Sequence, residues 1–237
     1  MLTGSTAHAD ILVGSTGYDW QAWDKTVLGE DGKPYWDGKS SDGSQKNIGY
    51  YLSGTGAFAS SAETPGAIPY WGNAAGGFDP SFYFGKDSAY SNAALKLEVA
   101  GYSAYNEFGW YNSATGERNA IFFGGDYQGA AAAFTPTTQY GFYMINQPGN
   151  VFLTQAGAWG SADSSFQHFA VFLQSPRTYW IGIEDLLEGG DRDYNDMVIK
   201  VTAVAPVPEP ATMLLLGTGL LGMAGFGRRL TKTRKSN

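Results

Sequence analysis

Thirteen residues near the end of the chain's polar body restrict what it can fold into. Between Glu184 and Asp196 lie six carboxylates (Glu184, Asp185, Glu188, Asp191, Asp193 and Asp196) and the carboxamide of Asn195, relieved by one cation, Arg192. The apolar run Tyr179-Trp180-Ile181-Gly182-Ile183 precedes them, Met197-Val198-Ile199-Lys200-Val201 follows, and Gly189-Gly190 sits between. That pattern reads as strand, turn, acidic loop, strand. Two carboxylates about 4 Å apart repel by roughly 4 kcal/mol at an effective dielectric near 20. Such a loop folds only if a cation sits among the oxygens, or if Arg192 and water spread the charge. Hard divalent cations, calcium above all, take about six to eight oxygens of these types.

The spacing is not that of an EF-hand. With Asp191 as its first position, Asp191, Asp193 and Asn195 fall correctly, but Asp196 replaces the turn glycine and Thr202 the final bidentate glutamate. A metal here draws its other ligands from Glu184 or Asp185, at the end of the preceding strand. The candidate ligands are therefore Glu184, Asp185, Asp191, Asp193, Asn195 and Asp196, and the candidate ion is Ca2+. The alternative is a solvated acidic turn in which Asp191 or Asp193 caps backbone amides.

Short apolar runs separated by turn chemistry fill the rest of residues 10–204. A short strand is expected at Ile11–Val13, then a loop-rich region to residue 46 whose aromatic residues cap one edge of the core. Further strands are expected at Ile48–Phe58, Ser81–Phe84 and Ala94–Val99, the last with Leu95, Leu97 and Val99 on one face. Glu107–Asn112 and Asn119–Phe123 flank the hairpin turn Ser113-Ala114-Thr115-Gly116, and Tyr140–Ile145 and Val151–Thr154 flank Asn146–Asn150. Phe166–Leu173 is apolar on both faces, as a central strand would be. Thr178–Ile183 and Met197–Ala203 bracket the acidic loop, with Met197, Ile199 and Val201 pointing inward and Val198, Lys200 and Thr202 outward. The fold expected is all-β, an antiparallel β-sandwich or jelly roll over residues 10–204.

Charge and composition narrow the function. Residues 10–205 hold ten Lys/Arg against twenty-one Asp/Glu, a balance of −11, which argues against nucleic acid as a partner. The chain has no cysteine, excluding disulfides, thiolate metal sites and a cysteine nucleophile. Residues 1–9 end in Ala7-His8-Ala9, the small-x-small pattern of a signal-peptidase site, and are expected to be a signal-peptide remnant. Ala205-Pro206-Val207-Pro208-Glu209-Pro210 sustains neither strand nor helix and is expected to be an extended linker. Ala211 to Gly227 is uncharged, about 26 Å long as a helix, and is stopped by Arg228 and Arg229. A transmembrane helix with a basic cytoplasmic tail is expected over residues 211–237.

The order of Pro208-Glu209-Pro210, a Leu/Gly-rich apolar stretch and Arg228-Arg229 resembles a PEP-CTERM sorting signal. The resemblance implies export, transient anchoring in the inner membrane, and recognition of Pro208, Glu209 and Pro210 by an exosortase. It implies a cell-surface or extracellular destination in bacteria that make exopolysaccharide or biofilm. Ile181 to Asp196, with its Gly-Gly-Asp-Arg-Asp-Tyr-Asn-Asp stretch, also resembles the C-terminal motif of an uncharacterised domain of secreted proteins, which carries no assigned reaction.

Three functions follow as expectations. The first is a non-catalytic, calcium-stabilised surface or matrix protein. The second is a carbohydrate-binding module for exopolysaccharide, with Trp110 and Tyr111, or Trp20 and Trp23, as stacking platforms. The third, an enzyme, is disfavoured. Glu184 and Asp196 could pair for glycoside hydrolysis, but a solvated carboxylate cluster does not separate their pKa values. His168 reads as a packed or sheet-face residue, and no nucleophile, zinc or phosphate-loop motif is present.

Overall fold

The computed structural model describes residues 10–22, 47–52, 68–98, 104–126 and 128–204. Strands dominate: β1 (Ile11–Val13), β2 (Asp19–Gln21), β3 (Tyr70–Gly72), β4 (Tyr83–Gly85), β5 (Tyr90–Glu98), β6 (Glu107–Asn112) and β7 (Arg118–Phe123) come first. Then come β8 (Ala131–Phe134), β9 (Gln139–Ile145), β10 (Val151–Leu153), β11 (Phe169–Ser175), β12 (Thr178–Ile183) and β13 (Met197–Val204).

They form two antiparallel sheets. One runs β1-β4-β9-β6-β7, with β10 also paired to β9; the other runs β2-β3-β11-β12-β13-β5-β8. The sheets face each other across one core. Phe84, Phe108, Phe122, Phe142, Met144 and Phe152 from the first sheet meet Leu95, Phe169, Val171, Ile181, Ile183, Met197 and Ile199 from the second. Burying an aromatic or aliphatic side chain of this size contributes about 1.5–3 kcal/mol, so this interior dominates the stability. The expected all-β sandwich is what the described residues form.

Hairpins with explicit turn residues match the sequence expectation closely. The β6–β7 turn closes with Gly116 at φ +76°, and the β9–β10 turn with Gly149 at φ +84°, a conformation glycine adopts without a Cβ clash. β11 is central and apolar on both faces, as expected, because a second cluster covers the outer face of its sheet: Ala170, Phe172, Trp180 and Val198 pack beneath Ile48, Leu52, Ile68 and Tyr194.

That cover corrects two expectations. Ile48–Leu52 is a short helix, α1, not the start of a strand over Ile48–Phe58. Ile48 and Leu52, one helical turn apart, are both fully buried on the sheet, and the Ile48 amide donates to the Asp193 carbonyl at 2.8 Å. Val198 does not point into solvent: it is 0 % exposed, inside the second cluster. Along β5, a bulge opposite Val198 and Ile199 interrupts the expected alternation after Leu95.

The expected signal-peptide remnant (residues 1–9), linker (residues 205–210) and transmembrane helix with its basic tail (residues 211–237) lie outside the described residues. Among the described residues no helix is long and apolar enough to cross a membrane.

Candidate metal centre

The acidic loop is the connection between β12 and β13, two strands paired from Thr178 with Thr202 to Ile183 with Met197. Just past the end of β12, the Glu184 amide donates to the His168 carbonyl at 3.0 Å and ties the residue to the segment that leads into β11. A kinked turn, Leu187–Gly189, with Glu188 in the left-handed region at φ +61°, then follows. Gly189 and Gly190 lie at φ +81° and +44°. A Cβ on Gly190 would sit 2.3 Å from Glu184 Oε1, so the second glycine makes room for that carboxylate.

From Asp191 onward the backbone alternates. Arg192 and Tyr194 adopt left-handed φ values of +54° and +53°, each costing roughly 1 kcal/mol or more for a non-glycine residue. The Asp193 carboxylate accepts from the Asn195 amide at 3.0 Å and from Asn195 Nδ2 at 2.5 Å. Tyr194 turns the other way and donates to the Gln167 carbonyl at 2.7 Å. Gly182 lets this segment lie against β12, since a Cβ there would meet the Tyr194 carbonyl at 2.6 Å.

The structure brings five of the carboxylates together in two overlapping sets. Carboxylate oxygens of Glu184, Asp191 and Asp193 lie within 4.8 Å of one another, and so do those of Glu184, Asp185 and Asp196. Glu184 belongs to both. Asn195 sits beside the first set through its bonds to Asp193, and Glu188 belongs to neither.

The loop is not a solvated turn. Glu184 is 1 % exposed, Asp185 2 %, Asp193 3 % and Asn195 1 %. Asp196 accepts the Asp185 amide at 2.8 Å, and Asn106 Nδ2 donates to Asp185 Oδ2 at 3.1 Å. Neither oxygen of Glu184 receives a donor. A buried carboxylate of this kind is costly unless a cation or a proton takes the charge. Burial, followed by the neighbouring Asp196, Asp191 and Asp193 charges, pushes the Glu184 carboxyl up to about 11. Burial and Asp185 push Asp196 up to about 7, and burial raises Asp185. Without a cation, a proton shared between Glu184 and Asp196 relieves part of the crowding.

The donor set fits a hard cation. Every converging atom is an oxygen, most are anionic, and the two that no hydrogen bond reaches belong to the residue common to both sets. Arg192 does not neutralise them: its guanidinium lies over the Phe166 ring, 5.2 Å from the centroid.

Several supporting residues carry no signal in the sequence. Asn106 lies 79 positions from the Asp185 it bonds, and Asn146, in the β9–β10 turn, donates to the Asp185 carbonyl at 2.7 Å. His168 is packed as expected, but it lies just before β11 and not within the strand expected over Phe166–Leu173. Its ring stacks on Phe152 with centroids 3.8 Å apart, Nδ1 lies 2.9 Å from the Glu184 carbonyl, and Nε2 lies 3.4 Å from Asp163 Oδ2. Burial holds this imidazole below its ordinary pKa against the pull of both oxygens.

Of the residues expected as sugar platforms, Trp20 and Trp110 are half-buried against the core. Tyr111 is fully buried, Trp20 stacks on Tyr179 with centroids 6.0 Å apart, and Trp110 packs against the same interior. Trp23 lies outside the described residues.

Comparison with protein families gives two matches. Residues 134–204 match a domain of unknown function (DUF4114), a span that includes the whole acidic loop. Residues 206–229 match the PEP-CTERM protein-sorting motif, and signals of this class are recognised by exosortases. No curated protein and no solved structure matches the chain.

Proposed function

We propose that the exported β-sandwich is a non-catalytic surface or matrix domain whose last hairpin is stabilised by calcium gathered around Glu184. The sorting motif at residues 206–229 makes the chain one that is sorted through the membrane toward the cell surface or extracellular space. One observation carries the metal reading: a carboxylate that is 1 % exposed, has no donor on either oxygen, and is shared by two clusters of acids. Glu184, Asp191 and Asp193 on one side, and Asp185 and Asp196 on the other, would hold the ion. When bound it would bring positive charge to the Glu184 carboxylate, which no donor reaches, tying β12 to the start of β13.

Calcium suits the site better than magnesium, which keeps several waters and strict octahedral geometry that a buried cluster denies it. Millimolar extracellular calcium fills even a site of about 10⁻⁴–10⁻³ M. The same burial supports a non-catalytic role, because a glycosidic bond cannot reach Glu184 through the packed loop.

Isothermal titration of the purified protein with calcium tests the reading. Saturable binding that Glu184→Gln removes is expected. Absence of calcium binding at millimolar concentration would overturn it.

A further inference from the structure

The acids of the β12–β13 hairpin do not converge on one centre. Glu184, Asp191 and Asp193 form one set, Glu184, Asp185 and Asp196 the other, and Glu184 alone belongs to both. The two sets come from different parts of the hairpin. Asp191 and Asp193 follow the Gly189-Gly190 turn, on either side of the left-handed Arg192. Asp185 and Asp196 stand at the mouth of the hairpin, beyond the paired residues Ile183 and Met197, where the Asp185 amide donates to the Asp196 carboxylate at 2.8 Å.

Charge decides how many ions such an arrangement takes. The five carboxylates carry five negative charges when ionised. Arg192, the one cation between residues 184 and 196, lies over the Phe166 ring instead. A single divalent ion leaves three of those charges and sits close to only one set, so the other set stays crowded. Two divalent ions leave one. Glu184 suits the position between them: it is 1 % exposed, neither of its oxygens receives a donor, and a carboxylate can offer one oxygen to each ion. Gly190 keeps that position open, because a Cβ there would fall 2.3 Å from Glu184 Oε1.

We infer that the hairpin holds two calcium ions, one on Asp191 and Asp193 and the other on Asp185 and Asp196, with Glu184 bridging them. This rests on the calcium reading of the same hairpin and adds a second site with its own role. The ion on Asp191 and Asp193 orders the loop alone. The ion on Asp185 and Asp196 has both sheets behind it. Asn106, just before β6, donates to Asp185 Oδ2 at 3.1 Å, and Asn146, just after β9, donates to the Asp185 carbonyl at 2.7 Å. β6 and β9 belong to one sheet, β12 and β13 to the other. The second ion therefore staples the two sheets together at this end of the sandwich. The competing arrangement is a single ion, with a proton between Glu184 and Asp196 in place of the second.

The test strips the full-length protein with EGTA, titrates it with calcium, and counts the bound ions by native mass spectrometry. Two ions per chain are expected at millimolar calcium. One ion per chain overturns the inference and leaves the calcium reading standing, whereas none overturns both. Asp191→Asn and Asp196→Asn are each expected to retain one ion, and Glu184→Gln to retain none. A folded aspartate variant that still binds two ions, or binds none, overturns the division into two sites. Hydrogen exchange separates the roles. In the wild type, calcium should slow exchange both in the loop at residues 186–195 and in the β9–β10 turn; in Asp196→Asn it should slow the loop alone. Equal slowing of that turn in the variant overturns the staple.

Discussion

Glu184 is where the physical argument is tightest. Its carboxyl is buried without a donor and pushed to about 11, so metal-free protein holds it protonated at neutral pH. Glutamine there keeps the shape, removes the charge and offers its amide to Asp196. Metal-free Glu184→Gln is therefore expected to exceed the metal-free wild type by roughly 1–2 kcal/mol, read as a melting temperature about 2–8 °C higher. The variant should gain nothing on adding calcium. Gly190→Ala works in the opposite direction: its methyl falls 2.3 Å from Glu184 Oε1 in a left-handed backbone. It should weaken calcium binding by about tenfold or more and cost about 1–3 kcal/mol of stability by urea titration. The acids themselves were legible in the sequence, because charge density in thirteen residues is a local property. Asn106 and Asn146 were not, because only the folded sheets carry them to Asp185.

At the scale of elements, legibility follows how local the determinant is. The hairpins β6–β7, β9–β10 and β12–β13 announce themselves through turn residues next to alternating runs. Helix α1 does not: Ile-Gly-Tyr-Tyr-Leu is β-prone and shorter than two helical turns, and what makes it helical is the apolar sheet face beneath it. The same cover explains Val198, whose inside or outside placement no alternation could settle. The first strand is held by a polar clamp that composition also hides. Asp10 Oδ1 accepts the amides of Asp87 and Ser88, each at 2.9 Å, and Oδ2 accepts Tyr140 at 2.6 Å and Ser91 at 3.3 Å. Tyr179 donates to the Asp10 carbonyl. Asp10→Asn turns one acceptor into a donor facing these groups, and should lower stability by about 1–3 kcal/mol in urea titration. Hydrogen exchange of β1 and β4 should quicken, while calcium affinity is unchanged.

In the whole molecule a sorting motif follows, in sequence, a β-sandwich whose last hairpin we propose to be completed by a cation outside the cell. Replacing Pro208, Glu209 and Pro210 with alanine should leave the protein in the membrane fraction, visible by fractionation of the producing cells. The metal half makes a prediction about pH. Glu184 and Asp196 are raised to about 11 and about 7, so between pH 7 and 9 the folded metal-free protein binds more protons than the unfolded chain. Its stability must then fall as pH rises. His168, held below its ordinary pKa, is neutral in the folded state, and the unfolded chain sheds its own imidazole proton by about pH 8, so its opposite contribution is confined to the low end of this window. With calcium in place of the proton, rising pH only removes a competitor. The deciding measurement is the melting temperature from pH 7 to 9, in EGTA and in millimolar calcium. The account predicts a melting temperature that declines with pH in EGTA, holds or climbs in calcium, and separates further at each step. Superimposable curves in the two conditions would contradict it.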